Sequence, residues 1–249
     1  VASEAPLTRA PLPALLLGAG ALLLPAPATA GPGQRERRGA RTRPWLTVPL
    51  RIRVAVCDGK PVRSASWVRA HVAATRKILS AHRIRLAVVR DRFTPARCAL
   101  LTRAHRHAMA EHADDPAWAT VLVLRRVRDV DLPSYDLMGV HWRYRGPDPR
   151  HRGRRWVFLT ARGEPPVLAH ELGHFFGLGH DPAGGNLMTP GPSAPIWSDP
   201  GADRPRPFKP ILTPRQARRV RRAIVRFTRR ARAGPDRPRP RSREHGRRR

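Results

Sequence analysis

Acidic residues, lysines and cysteines are all scarce in this chain, and each scarcity limits the classes of function and partner that the sequence supports. Asp and Glu number 18 against 49 Lys and Arg, so the formal net charge is +31, and the lysines are Lys60, Lys77 and Lys209 alone. Such a charge favours non-specific attraction to nucleic acids, anionic glycans and lipid surfaces. The chain nevertheless carries no zinc-finger, helix-turn-helix or RNA-binding signature, so the sequence predicts no specific nucleic-acid partner.

The cysteine content is limited to Cys57 and Cys98. Their wide separation excludes the C-x-x-C spacing of thiolate metal sites and redox motifs. In an exported protein an even pair favours one disulfide, because the compartment is oxidising, and two buried free thiols are the alternative. Closing a loop of about forty residues would add ~4 kcal/mol to the free energy of unfolding in the chain-entropy description.

No apolar stretch is long enough to predict a stable membrane span. The best candidate, residues 12–24, is short and interrupted by Gly and Pro. Arg9 precedes this stretch and Ala28-Thr29-Ala30 follows it, which is the order of a secretory signal peptide. The sequence therefore predicts a signal peptide over residues 1–30, cleavage after Ala30, and a secreted, extracellular or periplasmic location. A disordered, alanine-rich leader is the alternative.

Composition divides the remainder into an arm, one domain and a tail. Residues 31–44 are rich in Arg and Gly and predict a flexible basic arm, while residues 45–232 carry apolar periodicity and predict one folded domain. Residues 233–249 predict a disordered basic tail. From Arg215 onward, 16 arginines accompany two acidic residues, a net charge of +14, so this end is the expected contact with anionic surfaces.

One motif carries chemistry, namely His170-Glu171-Leu172-Gly173-His174 with Gly177 and His180 after it. Two histidines four residues apart on a helix lie one turn apart on the same face, so both imidazoles can point at one ion. Gly177 is suited to end the helix in a sharp turn, which would bring His180 back as a third ligand. Three protein ligands with an open fourth position are typical of catalytic zinc.

Glu171 is the predicted general base of this site. It lies about 100° around the helix from His170, close enough to reach a metal-bound water without being a ligand. The alternative for the whole motif is an amphipathic core helix with two surface histidines.

Downstream, Gly184-Gly185-Asn186-Leu187-Met188 completes a family pattern. Together with the histidine motif it resembles the metzincin zinc endopeptidases, whose signature is H-E-x-x-H-x-x-G-x-x-H followed by a Met-turn. The short interval between His180 and Met188 is similar to matrixin-like members. The resemblance implies that Met188 lies beneath the metal as a structural residue, and that Asp181 is a hydrogen-bond acceptor behind the ligands. An ordinary loop methionine is the alternative for Met188.

The resemblance also implies an α+β, zincin-like fold with an α/β-type N-terminal part, a twisted mixed sheet, a zinc helix, a Met-turn and a C-terminal helix. Apolar alternation predicts a strand over residues 48–56, ended by Asp58-Gly59. Helical spacing follows over residues 68–79, and a second strand starts at Ile84 and stops at the charged residues 90–92. The right-handed crossover rule makes these two strands parallel if they are adjacent.

Further along, the continuous apolar run at residues 120–124 predicts a strand covered on both faces. Residues 138–142 are the expected antiparallel edge strand above the cleft, which would bind an extended substrate by strand addition. Pro165 and Pro166 predict the start of the zinc helix. Thr213 precedes a final helix, whose apolar stripe favours core packing over a nucleic-acid helix and comprises Ala217, Val220, Ile224, Phe227 and Ala231.

Two other clusters, one of histidines and one of aspartates, contain residue types that bind metal ions. His105, His107 and His112 lie in a segment that is helical or irregular and rich in arginine, where a second metal site is the less favoured interpretation. The loop at residues 128–137 holds Asp129, Asp131 and Asp136. Matrixin-like proteins often bind structural calcium or a second zinc in this region, but the ligand pattern here is incomplete and favours a plain acidic loop.

The function that the sequence predicts is a secreted endopeptidase with one catalytic Zn²⁺, acting on protein or peptide substrates. Two alternatives remain. One is an anionic-polymer-binding protein with a vestigial zinc site, and the other is a non-proteolytic zinc amidase.

Overall fold

The computed structural model describes residues 43–113, 115–190 and 208–232. The predicted signal peptide, nearly all of the basic arm, residues 191–207 and the basic tail lie outside the described residues. Among the described helices, none combines the length and the apolar character needed to cross a bilayer.

Strands and helices are interspersed along the described part of the chain. In chain order they are β1 (Leu46–Cys57), β2 (Lys60–Pro61), α1 (Ala65–Ser80), β3 (Ile84–Phe93), β4 (Ala99–Leu100), α2 (Arg103–Ala108), a 3-10 helix (Met109–His112), β5 (Ala119–Leu124), β6 (Arg126–Val127), β7 (Gly139–Arg143), β8 (Arg155–Thr160), α3 (Pro165–Phe175) and α4 (Pro214–Arg232).

The main sheet is mixed, with strand order β3-β1-β5-β8-β7 and the short β2 paired to the end of β1. β1 is parallel to both β3 and β5, and β8 is parallel to β5, whereas β7 is antiparallel to β8 at the edge. These pairings confirm the predicted parallel strand–helix–strand unit and the predicted antiparallel edge strand. β4 and β6 form a separate two-stranded parallel pair.

Two apolar cores cover the two faces of this sheet. The first contains residues of α1, α3 and α4, and the second contains residues of the 3-10 helix and the β7–β8 hairpin. β5 supplies both, because Val121 and Val123 face the first core while Leu122 and Leu124 face the second. Every residue of β5 is buried, which confirms the prediction of a doubly covered strand and explains its lack of alternation.

The prediction that β3 stops at residues 90–92 is wrong, because the strand continues to Phe93. Asp91 accepts hydrogen bonds from Arg51 and Arg53 on the neighbouring β1. This cross-strand charge pairing stabilises a polar stretch within the sheet, which the hydrophobic pattern of a single strand does not reveal.

Cys57 and Cys98 form a disulfide across a sequence separation of 41 residues. The bond joins the end of β1 to the residue before β4, beside the second core. The alternative of two free thiols is therefore wrong, and the covalent link supports the side of the sheet opposite helix α3.

Candidate metal centre

Helix α3 places the first two histidines. Proline occupies its first turn, where a missing N–H costs no hydrogen bond, and Leu168, Leu172 and Phe175 bury its apolar side. The helix then ends in a Schellman motif. Gly177 takes a left-handed φ of +88°, its N–H donates to the His174 carbonyl, and the next residue donates to the Gly173 carbonyl.

The turn after α3 brings His180 to the other two histidines. The Nε2 atom of His174 lies 3.0 Å from Nε2 of His170 and 3.2 Å from Nε2 of His180. The ligand atoms of all three lie within 4.8 Å of one another. Two nitrogens bound to one tetrahedral zinc at its usual bond length would be about 3.3 Å apart. The three imidazoles therefore fit a single zinc ion.

Backbone carbonyls orient two of these rings. His170 Nδ1 lies 2.7 Å from the Leu187 carbonyl, and His174 Nδ1 lies 2.9 Å from the Leu178 carbonyl. A carbonyl only accepts, so each Nδ1 carries the proton and each Nε2 keeps its lone pair. The tautomer required of a metal ligand is thus selected by the loops that follow the helix.

Met188 is fully buried directly against α3. A Cβ added at Gly173 would lie 2.5 Å from the Met188 sulfur, so any larger residue at this position would force the methionine side chain to shift. Gly173 lies immediately before His174, and the contact therefore supports the helix turn that carries two of the three histidines.

Asp181 is part of a polar network and not of the histidine cluster. It accepts hydrogen bonds from Asn186 at 2.8 Å and from Gln216 of α4 at 3.2 Å, and its N–H donates to the Met188 carbonyl. Gln216 also donates to Asn186, whose side-chain oxygen accepts from the Met188 N–H. Sequence reasoning gave neither Asn186 nor Gln216 a role of its own: Asn186 was named only as part of the stretch before Met188, and Gln216 belongs to no motif.

Glu171 points from α3 towards the edge strand. A Cβ added at Gly139 would lie 2.8 Å from Glu171 Cγ and 3.2 Å from its Oε1, so β7 crosses this side chain in close contact. Burial raises the pKa of Glu171 to about 8, against the smaller opposing effect of the His141 backbone N–H. A carboxyl with such a pKa exchanges protons near neutrality.

His141 is a third such residue, because sequence reasoning placed it in the edge strand but gave its side chain no role. Its ring lies edge-on to Phe175 at 6.1 Å, and its buried Nε2 has no hydrogen-bond partner among the described residues. Burial lowers its pKa to about 3, with Arg155 and His174 contributing in the same direction.

The other predicted clusters do not converge. His107 Nδ1 is 3.2 Å from Trp142 Nε1, and the His112 ring contacts Phe93, so neither is directed at a shared ion. Asp131 and Asp136 pair with different arginines, and Asp129 accepts from backbone N–H groups of its own turn. Within residues 43–113, 115–190 and 208–232, the cluster suited to a metal is His170, His174 and His180.

The metal-free protein is expected to lose stability in mild acid. Burial lowers the pKa of His170 and His180 to about 4 and also lowers the pKa of His174. The unfolded chain takes up these protons near pH 6.5 while the folded chain does not, so the free energy of unfolding falls as pH drops from 6.5 towards 4. Glu171, whose pKa is raised, adds to the free energy of unfolding as the pH drops from 8 to 4.5. This gain is smaller than the combined loss from four histidines whose pKa is lowered, namely His141, His170, His174 and His180.

Denaturant unfolding of the chelator-treated protein at pH 7 and pH 4.5 measures this effect. We expect a fall of roughly 3 kcal/mol, after allowing for the solvent exposure of His180. The His141→Phe variant should lose part of the fall, because its ring takes up no proton. Equal unfolding free energies at the two pH values would contradict the assignment.

No protein-family model matches the sequence, and no curated protein matches it. Among solved structures, mature mirolysin of Tannerella forsythia in complex with a cleaved peptide is similar at a TM-score of 0.50 and 11% identity, over 75% of this chain and 96% of that chain. Mirolysin in complex with compound 9 is similar at a TM-score of 0.50 and 13% identity, over the same shares. Metalloproteinase-II from Bacteroides fragilis gives a TM-score of 0.46 at 15% identity, over 74% of this chain and 55% of that chain.

At these identities the similarity to mirolysin establishes the fold and nothing finer. The predicted α+β fold, with its twisted mixed sheet, antiparallel edge strand and flanking helices, is confirmed.

Proposed function

We propose that this chain is a zinc-dependent endopeptidase that hydrolyses peptide bonds with an activated water molecule. The observation that carries the proposal is the convergence of three imidazoles, with Nε2 separations of 3.0 and 3.2 Å about His174. His170, His174 and His180 would hold the Zn²⁺ ion, which would act as a Lewis acid towards the peptide carbonyl and the attacking water at neutral pH.

Glu171 moves the proton in this proposal. Its carboxylate takes a proton from the attacking water and delivers it to the leaving amine nitrogen, so one side chain serves both halves of the hydrolysis. Two features support the role: Glu171 adjoins the ligand His170 in the chain, and it is buried beside β7, away from bulk solvent.

The edge strand β7 is the proposed substrate platform. In the part of the chain that the structure describes, its single strand neighbour is β8, so the other edge can pair with an extended peptide through main-chain hydrogen bonds. Gly139 supports this arrangement, because its lack of a Cβ lets the strand approach Glu171 closely.

The finer classification and the location belong to the same proposal. The motif spacing and Met188 favour a matrixin-like metzincin. Residues 1–30 favour export, and the disulfide between Cys57 and Cys98 suits an oxidising compartment.

Metal analysis combined with a cleavage assay tests the proposal. The purified full chain is expected to hold one zinc per molecule and to cleave casein and quenched peptides, and 1,10-phenanthroline should abolish cleavage until zinc is restored. Cleavage that resists the chelator would contradict the mechanism. A zinc-loaded protein that cleaves no polypeptide would instead favour the amidase alternative.

A further inference from the structure

An open cleft lies where β7 ends and the chain turns back into β8. It has a volume of about 570 Å³ and is lined by Arg143, Tyr144, Arg145, Gly146, Arg152 and Gly153. We call it the arginine cleft. Its three arginines are exposed, whereas Tyr144 is buried and packs into the second core.

The arginine cleft is lined by three positive side chains and by no acidic one. The acid closest in the chain, Asp148, already pairs with Arg150 at 2.8 Å and with His151 at 3.0 Å. No described carboxylate forms an ion pair with Arg143, Arg145 or Arg152.

A like-charge contact adds to this imbalance. Arg143 lies directly opposite Arg155 in the β7–β8 pair. The pKa of Arg155 is lowered, first by burial and then by Arg143 and Arg230. Like charges directly opposite each other on two strands are destabilising. A carboxylate entering the arginine cleft would therefore relieve a repulsion that the folded chain already contains.

The arginine cleft is aligned with the metal centre through β7. Residues two apart on a strand share a face, so Arg143 lies on the same face as Gly139 and His141. Gly139 touches Glu171 and Val167 of α3. Arg143 therefore lies on the face of β7 that meets the zinc helix, four residues or about 13 Å further along the strand.

We infer that the arginine cleft binds an acidic side chain of the substrate, two to four residues on the amino side of the cleaved bond. The inference rests on the proposed function. Antiparallel pairing is the more stable form of strand addition, and it directs the amino end of the peptide from Gly139 towards Arg143. Guanidinium groups bind carboxylates through paired, charge-assisted hydrogen bonds. The substrate class is thus an extended peptide with Asp or Glu before the cleavage point.

Three quenched decapeptides of one core sequence test the inference. The first carries Glu at the second and fourth residues before the cleaved bond, the second carries Gln there, and the third carries the same two Glu after the bond. We expect kcat/KM for the first to exceed both others by about tenfold. The third peptide has the charge of the first, so it separates the arginine cleft from general attraction to a basic protein.

Two variants complete the design. Arg143→Gln combined with Arg145→Gln should reduce the ratio between the first two peptides to near one. Arg90→Gln removes an exposed arginine from β3, at the opposite side of the sheet, and should keep the ratio. Equal kcat/KM for the first and third peptides, or a ratio that survives the double substitution, would overturn the inference.

Binding separates failure of the inference from failure of the proposed function. Labelled forms of the three peptides are titrated into the Glu171→Gln variant and followed by anisotropy. Tighter binding of the first peptide without any cleavage by the parent would contradict the endopeptidase proposal but support binding of acidic side chains in the arginine cleft. Cleavage of all three peptides by the parent at equal rates would support the endopeptidase proposal but contradict the role of the arginine cleft.

Discussion

Replacing Glu171 with alanine is expected to lower kcat for peptide cleavage by about 10³-fold, the usual contribution of general acid–base catalysis. The zinc content should stay at the parent level, because the expected ligands are the three converging histidines and Glu171 is not among them. Stopped or continuous assays with a quenched peptide, together with metal analysis of the same samples, measure both quantities.

The matched control for this result is Glu111→Ala, which removes an exposed carboxylate in the 3-10 helix. It should leave kcat within about twofold of the parent, as for a surface substitution away from the site. Glu171→Gln keeps the shape of the buried side chain and should be as inactive as the alanine variant. Parent-like cleavage by either Glu171 variant at equal zinc content would refute the assignment of the base.

Replacing His174 with alanine is expected to remove both zinc and activity. His174 is the middle residue of the three histidines, since its Nε2 is the atom that lies close to both His170 and His180. Two imidazoles bind zinc far more weakly than three, so we expect the affinity to fall by more than about 10³-fold. Competition with a fluorescent zinc chelator measures this change, and circular dichroism checks that the fold is retained.

His105→Ala is the control for the histidine substitution. His105 lies on α2, and its Nδ1 is 3.3 Å from the Leu101 N–H, outside the histidine cluster. Its zinc affinity and cleavage rate should match those of the parent. A His174→Ala protein that still binds one zinc tightly would show that the ion lies elsewhere.

The sequence predicted those elements whose bounds and burial follow from the residue types within one short stretch of the chain. The two prolines place the start of α3 because they suit a first helical turn, and Asp58 and Gly59 end β1 because both adopt positive φ, at 53° and 73°. Residues 120–124 are apolar throughout because both faces of β5 are covered. In each case one short stretch contains the whole signal.

Other features depend on residues far apart in the chain, and no local pattern contains them. The extension of β3 to Phe93 is stabilised by Asp91 meeting Arg51 and Arg53 of β1, which lie 40 and 38 residues away. The support behind the histidines depends on Gln216 of α4 reaching Asp181 across 35 residues. Single polar residues of this kind have no periodicity, so sequence reasoning passed over them.

The sequence by itself determined which residues could meet an ion, because a helical repeat and one glycine turn dictate where His170, His174 and His180 fall relative to one another. Only the tertiary structure decided what surrounds them: the carbonyls that select their tautomers, the edge strand that buries Glu171, and the arginine cleft aligned with it. The physical reason is that helix and turn geometry follow from neighbouring residues, whereas burial and charge balance follow from the packing of segments that are distant in the chain.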